Sequence, residues 1–325
     1  MKNKLLFTSL LFLTAVPLLA DTSPPPPPPT CPSPSFHVGA SFVYWQAIEG
    51  DLQIAELIIA TPNAVTSPNL YQEIACPFQF MPGFKLNLGM DYHEVQTWVE
   101  YTRVHGTNQK KLTVPSGDVG YSPYFTLGGG QFSSLDHSWA LHYDMLNWLW
   151  STNLVQKGRW TLSPYFGLKG GWITQSLTQD GTPSGQTFIV GNHYHSHAWL
   201  LGGGGGIKNT IDLWRGFSIL FSMDLNLLYE QMKIKAANGS TTNPNLITKD
   251  SMHVDLLNPN FDVSFAVNWK SPTWKNRYSC EFSAGYDLLF YAHQDGLKTI
   301  RIVLYGADVA DLMFQGLTLT GRFNW

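Results

Sequence analysis

The sequence predicts an all-β fold, a transmembrane antiparallel β-barrel of about twelve strands, within a range of about ten to fourteen. Three observations lead to this prediction: segments in which apolar and polar residues alternate, links that alternate between short and long, and a composition with few charges. Alternation at period two gives a strand one apolar and one polar face. Charged residues make up 13% of the chain and aromatic residues 14%. Soluble domains usually contain about 25% charged residues, so this composition favours a sheet whose outer face contacts lipid.

The beginning of the chain predicts secretion. Lys2 and Lys4 precede the apolar run 5–13, and Ala20 offers a small residue for cleavage. Residues 1–20 are therefore expected to be a signal peptide. The apolar run is too short for an uncleaved membrane anchor.

A proline-rich segment follows the expected cleavage site. Pro24 to Pro29 cannot join a helix or a sheet and should form polyproline II. Residues 21–35 are expected to be a stiff periplasmic spacer, with a docking peptide for a periplasmic partner as the alternative. The barrel itself is expected over residues 36–325.

Ten segments alternate over lengths that suit strands. The four clearest are 84–92, 217–229, 259–270 and 278–290. Six noisier segments are 36–47, 95–105, 137–150, 159–173, 195–208 and 312–325. Several exceed the roughly 9–11 residues that a tilted strand needs to cross a bilayer.

The links between these segments alternate in length. The short links are 93–94, 151–158, 209–216 and 271–277, and the long links are 48–83, 106–136, 174–194, 230–258 and 291–311. Long outer loops and short periplasmic turns are typical of outer-membrane barrels. The links 48–83 and 106–136 could each contain a hairpin, around 52–60 and 121–127. Such hairpins would raise the strand number from ten to twelve or more.

The last strand predicts closure of the barrel. Its two faces carry Leu317, Leu319, Phe323 and Trp325 on one side and Thr318, Thr320, Arg322 and Asn324 on the other. An open sheet edge cannot persist in lipid, so this strand should pair with the first one, near 36–47. We expect Phe323 and Trp325 also to serve as the signal for the barrel-assembly machinery.

Short aromatic–glycine motifs carry a family resemblance. Gly39–Trp45 resembles the first strand of the pore-forming major outer membrane proteins of legionellae and chlamydia-like bacteria. Gly83–Gly89 together with Trp98–Thr102, and Pro164–Trp172, resemble the same family. The resemblance implies a β-barrel porin in the bacterial outer membrane, and it brings no catalytic residues.

Charged residues of both signs fall on the polar faces of the predicted strands. We expect these nine to face the lumen: Lys85, Asp91, Glu100, Asp224, Asp262, Lys270, Glu281, Asp287 and Arg322. They suit a water-filled channel, in which rings of charge set ion preference. They also suit a small barrel that paired side chains close. The first functional hypothesis is a porin for passive diffusion of ions and small hydrophilic solutes, and the alternative is a structural or adhesive surface barrel without an open channel.

No set of residues predicts catalysis, a cofactor or a metal. His193, His195 and His197 share one strand face, but their spacing along a strand is too wide for an easy first coordination shell. Gly202–Gly206 leads into another strand, whereas a phosphate loop needs a following helix. A hydrolase on a barrel needs His with Asp or Ser near the rim, and no such set stands out. The protein is therefore not expected to be an enzyme.

The chain contains three cysteines, Cys31, Cys76 and Cys280, so in an oxidising compartment one is left over. Cys31 lies in the spacer and is the best candidate for a disulfide to another chain. The expected partners are outer-membrane lipid and the assembly machinery, and the sequence leaves a homo-oligomer open. A net charge of −3 gives no basic footprint for nucleic acid.

Overall fold

The computed structural model describes residues 34–49, 53–59, 70–75, 78–116, 118–122, 131–185, 187–240, 243–274, 278–292, 294 and 311–325. The predicted signal peptide, the spacer up to residue 33, Cys31 and Cys76 lie outside the described residues. Within them, no helix is long and apolar enough to cross a membrane.

Fourteen strands belong to one antiparallel sheet. The first seven are β1 Ser35–Glu49, β2 Gln53–Ile59, β3 Leu70–Ala75, β4 Phe80–Tyr92, β5 Val95–Thr113, β6 Val119–Tyr121 and β7 Gln131–Thr152. The other seven are β8 Val155–Lys157, β9 Trp160–Pro183, β10 Val190–Asp212, β11 Phe217–Ser240, β12 Asn243–Lys270, β13 Ser279–Tyr291 and β14 Leu312–Asn324.

Ten of these strands close into a ring, in the order β1, β4, β5, β7, β9, β10, β11, β12, β13, β14 and back to β1. The closing seam runs from the pair His37–Asn324 to the pair Glu49–Leu312. The backbone of Phe36 extends the seam. Its N–H donates to the carbonyl of Trp325 at 3.0 Å, and its carbonyl accepts from the N–H of Trp325 at 2.9 Å. A closed ring leaves no unpaired edge, as lipid requires. The all-β antiparallel barrel predicted from the sequence is thus confirmed, and its ten strands cover the ten alternating segments to within one residue at each end.

The ring has ten strands rather than twelve, the lower end of the predicted range. The links that were expected to hide hairpins do contain strands. However, β2 pairs with β3 and β6, and β6 pairs in addition only with the first residues of β7. These strands have seven, six and three residues. They are shorter than the roughly 9–11 residues that cross a bilayer, and they remain outside the ring.

The two ends of the barrel differ in their connections. At one end, here the turn end, β4 and β5 are joined by two residues, and β10 and β11 by residues 213–216, where Arg215 and Gly216 have positive φ. The start of β1 and the end of β14 also lie at the turn end. We call the opposite end the loop end.

Two of the five long links predicted at the loop end are largely strand instead. In the link 174–194, β9 continues to Pro183 and β10 begins at Val190. In the link 230–258, β11 continues to Ser240 and β12 begins at Asn243. The alternation by which the strands were predicted depends on an apolar outer face. In these two links the outer face of the strands is polar, as at Thr174. The prediction of loops in these two links was therefore wrong.

Strand β7 shows that the sense of the alternation inverts along the barrel. Near the turn end, Leu146 and Trp148 face outward and are exposed, as lipid-facing residues should be. Near the loop end, Trp139, Leu141 and Tyr143 face inward and are fully buried. The half near the turn end is thus built like a membrane barrel, and the half near the loop end like a water-soluble one with an apolar core.

Candidate functional site: the barrel interior

The half of the interior near the turn end, the turn half, contains a cavity of about 650 Å³. Four of the nine predicted lumen-facing residues line it, namely Asp91, Lys270, Glu281 and Arg322. Glu281 lies 3.1 Å from the ammonium of Lys270 and 3.9 Å from the guanidinium of Arg322. The carboxylate is thus shared between two cations at the mouth of the barrel.

Lys208 also lines this cavity, together with two smaller cavities deeper in the barrel, of about 210 and 180 Å³. Within the described part of the chain, no carboxylate lies within ion-pair distance of its ammonium group. Lys208 is therefore a cation without a fixed counter-charge at the point where the three cavities meet.

The other five predicted residues line the two smaller cavities: Lys85, Glu100, Asp224, Asp262 and Asp287. Lys85 on β4 donates to Asp287 on β13 at 2.9 Å. Asp287 also accepts from the hydroxyls of Ser264 and Thr318, each at 2.6 Å. Four strands are held together by this single carboxylate, which is a strong arrangement because charge-assisted bonds are short and geometrically specific.

A second network surrounds Lys169, a residue that the sequence interpretation missed. Its ammonium group donates to Asp262 at 2.5 Å and to Asn260 at 2.6 Å. Asn226 connects Asn260 to Asp224, and Asp224 accepts from the hydroxyl of Tyr165 at 2.8 Å. The buried charges are therefore paired and hydrogen-bonded, which offsets the cost of removing them from water.

The half of the interior near the loop end, the loop half, is filled by buried side chains, in which a large apolar and aromatic group lies beside buried polar residues such as Gln175, Gln179 and Glu230. The largest fully buried ones at its centre are Trp45, Trp139, Tyr143, Tyr291 and Phe314, which we call the plug. Rings of Tyr143 and Phe314 lie 4.7 Å apart between centroids, and those of Trp45 and Phe314 lie 6.1 Å apart. Such distances are those of packed aromatic pairs.

The plug crosses the whole bore. Tyr143 on β7 and Tyr291 on β13 are five strands apart in either direction around the ten-strand ring. Their hydroxyls lie 2.7 Å apart, so one hydrogen bond joins opposite walls. The described residues thus close the bore at this level.

The plug and the charged networks are connected to one another. The indole N–H of Trp45 donates to Thr318, which in turn donates to Asp287. The ammonium groups of Lys85 and Lys169 lie 4.7 and 5.2 Å from the ring centroids of Trp45 and Tyr291, as in cation–π contacts. A movement of the plug would therefore disturb both ion-pair networks.

Part of what the sequence interpretation missed could have been found in the sequence. Lys169 and Lys208 lie on the inward faces of the segments 159–173 and 195–208, and the phase of these segments marks them. The plug residues could not be found in this way, because apolar side chains were assigned to the lipid face.

The three glycines Gly202, Gly204 and Gly206 face the interior on β10. A Cβ at each would collide with backbone atoms of β11. Glycine here permits close approach of the two strands, which agrees with the rejection of a nucleotide loop.

Three histidines on β10 face outward rather than inward. The Nδ1 atoms of His197 and His195 lie 2.8 and 2.9 Å from the hydroxyls of Thr174 and Ser176. His193 is similarly placed against Thr178, at 3.4 Å. Among the described residues, no group of three or more His, Cys, Asp or Glu side chains could hold a metal ion.

The end of β14 forms an aromatic ladder on the outer face. Trp325 stacks on Phe36 and on Phe323, both at 6.0 Å between centroids, and Phe323 stacks on Tyr278 at 5.9 Å. Trp325 thus contacts β1 across the seam, and Phe323 contacts the residue that precedes β13.

A closed ring with an apolar outer wall and a charged interior defines this chain as an outer-membrane β-barrel protein. A family model described as the Legionella pneumophila major outer membrane protein precursor matches residues 27–325, and the chain belongs to this family. The protein is therefore located in the bacterial outer membrane. The match confirms the resemblance seen in Gly39–Trp45 and the other short motifs.

Solved barrels resemble the chain only distantly. The outer membrane protease OmpT from Escherichia coli is 7% identical, with a TM-score of 0.48, and the match covers 90% of this chain and 96% of that one. The toluene transporter TodX from P. putida is 10% identical, with a TM-score of 0.35 and coverages of 91% and 90%. A Pseudomonas aeruginosa FadL homologue is 7% identical, with a TM-score of 0.26 and coverages of 90% and 90%. No curated protein matches the chain.

Proposed function

We propose that this protein is a gated porin, a channel that lets ions and small hydrophilic solutes diffuse across the outer membrane once the plug moves. The observation that carries the proposal is the turn-half cavity of about 650 Å³, which charged groups of both signs line. A barrel that served only as a wall would gain stability by filling this space with apolar side chains. Rings of charge around a hydrated space are instead typical of ion pathways.

In the proposed orientation, the loop end faces outside and the turn end faces the periplasm. Both ends of the barrel chain lie at the turn end, and the connections there are short. This is the arrangement usual for outer-membrane barrels. The plug would then separate the cell exterior from a periplasmic vestibule.

Planar-bilayer conductance of the refolded protein tests the proposal. We compare the wild type with Tyr291→Ala, which removes one side of the plug. The matched control is Tyr286→Ala, because Tyr286 lies on the same strand but faces outward and is exposed. The wild type should show small or rare conductance steps, Tyr291→Ala larger or longer ones, and the control should match the wild type.

The ion preference offers a second readout. Lys208 has no fixed counter-charge among the described residues, so it should favour anions in the vestibule. Under a salt gradient, Lys208→Glu should shift the reversal potential towards cation preference. A control substitution at the exposed Lys157, outside the barrel interior, should leave it unchanged.

A structural or adhesive surface barrel is the second candidate. The observation that favours it is the plug itself, since Tyr143 and Tyr291 meet across the bore without exposed surface. If the wild type and Tyr291→Ala are both silent while both are fully folded, the channel is rejected and this candidate is preferred.

The remaining parts of the proposal concern the chain ends and the reaction class. Residues 1–20 act as a signal peptide, and the segment from residue 21 to the start of β1 acts as a spacer, in which Cys31 can form a disulfide to another chain. Phe323 and Trp325 are recognised by the barrel-assembly machinery. We also propose that the protein is not an enzyme, which the match to a major outer membrane protein family supports.

A further inference from the structure

The outward face of β10, β11 and β12 changes character along each strand. Near the turn end it carries exposed leucines, such as Leu201, Leu227 and Leu257. Towards the loop end the same face carries basic and imidazole side chains, which we call the basic band: His193, His195, His197, Lys233, Lys235, Lys249 and His253. Three neighbouring strands make this change, so it belongs to the surface and not to one segment.

Aromatic residues mark the boundary between the two surfaces. The rings of Trp199 and Tyr229 lie 5.5 Å apart, and the indole N–H of Trp199 donates to Gln231 at 3.0 Å. Tryptophan and tyrosine prefer the interface between membrane and water. The first residues of the basic band are the next one or two outward positions, roughly 7–13 Å farther along the strand. This places the band at the level of the lipid headgroups.

The strand register brings the lysines of the band next to its histidines. Lys233 lies opposite His197 on one side and His253 on the other, and Lys235 lies opposite His195. Opposed side chains in a sheet have Cβ atoms about 4.5–5.5 Å apart, so an anion at this surface can contact a lysine and an imidazole at the same time. A surface of this kind is expected to bind an external anion.

Few acids of the barrel compensate these cations. In the part of the chain that the structure describes, neither Lys233 nor Lys235 lies within ion-pair distance of a carboxylate. Asp255 is engaged by Tyr229 and Gln231, at 3.0 and 3.1 Å. Asp180 lies 4.0 Å from His193, and Asp250, opposite Ala236, belongs to the other face of β12. The two lysines at the centre therefore keep their charge for another partner.

The histidines add hydrogen-bond donors. When the hydroxyls of Thr174 and Ser176 donate to the Nδ1 atoms of His197 and His195, the ring proton resides on Nε2. These neutral rings then present N–H groups beside the two ammonium groups. Ammonium and N–H groups together suit phosphate oxygens.

We propose that the basic band binds the phosphate groups of the phosphorylated glycolipid of the outer leaflet. The position at headgroup level and the charge complementarity select this occupant. The exposed leucines directly below the band provide a wall for its acyl chains, which a soluble anion would not use. The proposal rests on the proposed orientation, with the loop end outside, and not on whether the barrel conducts ions.

The experiment measures lipid binding to the folded barrel in detergent by native mass spectrometry. The probes are bisphosphorylated lipid A and lipid A from which both phosphates have been removed. The variant is Lys233→Gln with Lys235→Gln. The matched control is Lys111→Gln with Lys157→Gln, which also removes two exposed lysines; Lys111 is paired with Asp136 at 3.1 Å on a different part of the surface.

The wild type should prefer the phosphorylated lipid, and the Lys233/Lys235 variant should lose about 20-fold in affinity and most of the preference. The control pair should stay within about twofold of the wild type. Equal binding of both lipids by the wild type, which needs no variant to observe, would overturn the proposal. So would an unchanged preference in the folded Lys233/Lys235 variant.

Discussion

The two halves of the barrel interior place their apolar residues on opposite sides of the same strands. In the loop half, Leu228 and Met232 of β11 face inward and are buried, whereas Lys233 faces outward. In the turn half, Asp224 faces inward and Leu225 is exposed on the outer wall. Apolar side chains lie on the side of the barrel wall that water does not reach. This is the outer side where lipid surrounds the barrel, and the inner side where water surrounds it. On β7 and β11 the inversion therefore marks the level at which the barrel leaves the membrane towards the loop end.

The comparison also explains why the bore is closed at one level and open at another. A barrel that projects into water must bury an apolar core to be stable, and the plug is this core. Within the membrane the lipid covers the outer wall, so the interior is free to hold charges and water. Changes that affect one half and not the other therefore test this difference.

The largest effect is expected in the plug. Trp45→Ala should lower the free energy of unfolding by about 3–5 kcal/mol, because a fully buried ring is removed and a cavity remains. Urea unfolding in lipid vesicles measures the change. Thr210→Ala, which borders the turn-half cavity, should cost less than about 1 kcal/mol. Equal losses at the two positions would argue against a dry loop half.

The loss of stability on breaking an ion pair should also depend on the depth of that pair in the barrel. Lys169→Met removes a buried cation from Asp262, whose side chain is 21% exposed, and should cost about 3 kcal/mol. Adding Asp262→Asn should recover much of this loss. Lys270→Met at the mouth should cost less than about 1 kcal/mol, since its side chain is 55% exposed. If Lys169→Met is as mild as Lys270→Met, the deeper network is solvated and the depth argument fails.

The outer wall of the turn half should reject charge while the inner wall accepts it. Phe265→Arg places a cation in lipid and should destabilise the barrel by about 2–4 kcal/mol. Asn268→Arg on the same strand points into the 650 Å³ cavity and should be tolerated. The fraction of folded barrel after insertion into vesicles gives the answer. Equal insertion of the two variants would show that the facing of β12 is misassigned.

The smallest effect on stability, yet a visible one on assembly, is expected at the seam. Deleting Trp325 removes its stacking on Phe36 and on Phe323, about 0.5–1.5 kcal/mol for each aromatic pair. Outer-membrane levels of the deletion should fall clearly below those of Asn324→Ala. Normal levels for both would make the last residue dispensable, as frayed chain ends usually are.

Much of the turn half could be predicted from the sequence. Its strands alternate between lipid and water, so the phase of 259–270 alone places Asp262 inside and Phe265 outside, as the structure does. All nine charged residues expected in the lumen line the interior cavities. Period two is informative here because the two faces meet different solvents.

The loop half could not be predicted in the same way. Around Val43, Tyr44 and Trp45 both faces are apolar, and along Thr174–Asp180 most residues of both faces are polar. Without contrast between the faces the alternation is lost, which is why the strand extensions were taken for loops. The meeting of Tyr143 with Tyr291 depends on the ring closing at ten strands, a number that local pattern does not fix.

The most direct test of the account compares two positions on β10. In a variant whose native cysteines are replaced by serine, Thr210→Cys places a thiol in the turn-half cavity and Ala198→Cys places one in the loop-half core. A small charged thiol reagent is added to the folded barrel, and labelling is followed by mass. The account predicts that Thr210→Cys is labelled rapidly and that Ala198→Cys is labelled only after unfolding in urea. Labelling of Ala198→Cys in the folded barrel as fast as Thr210→Cys would contradict it.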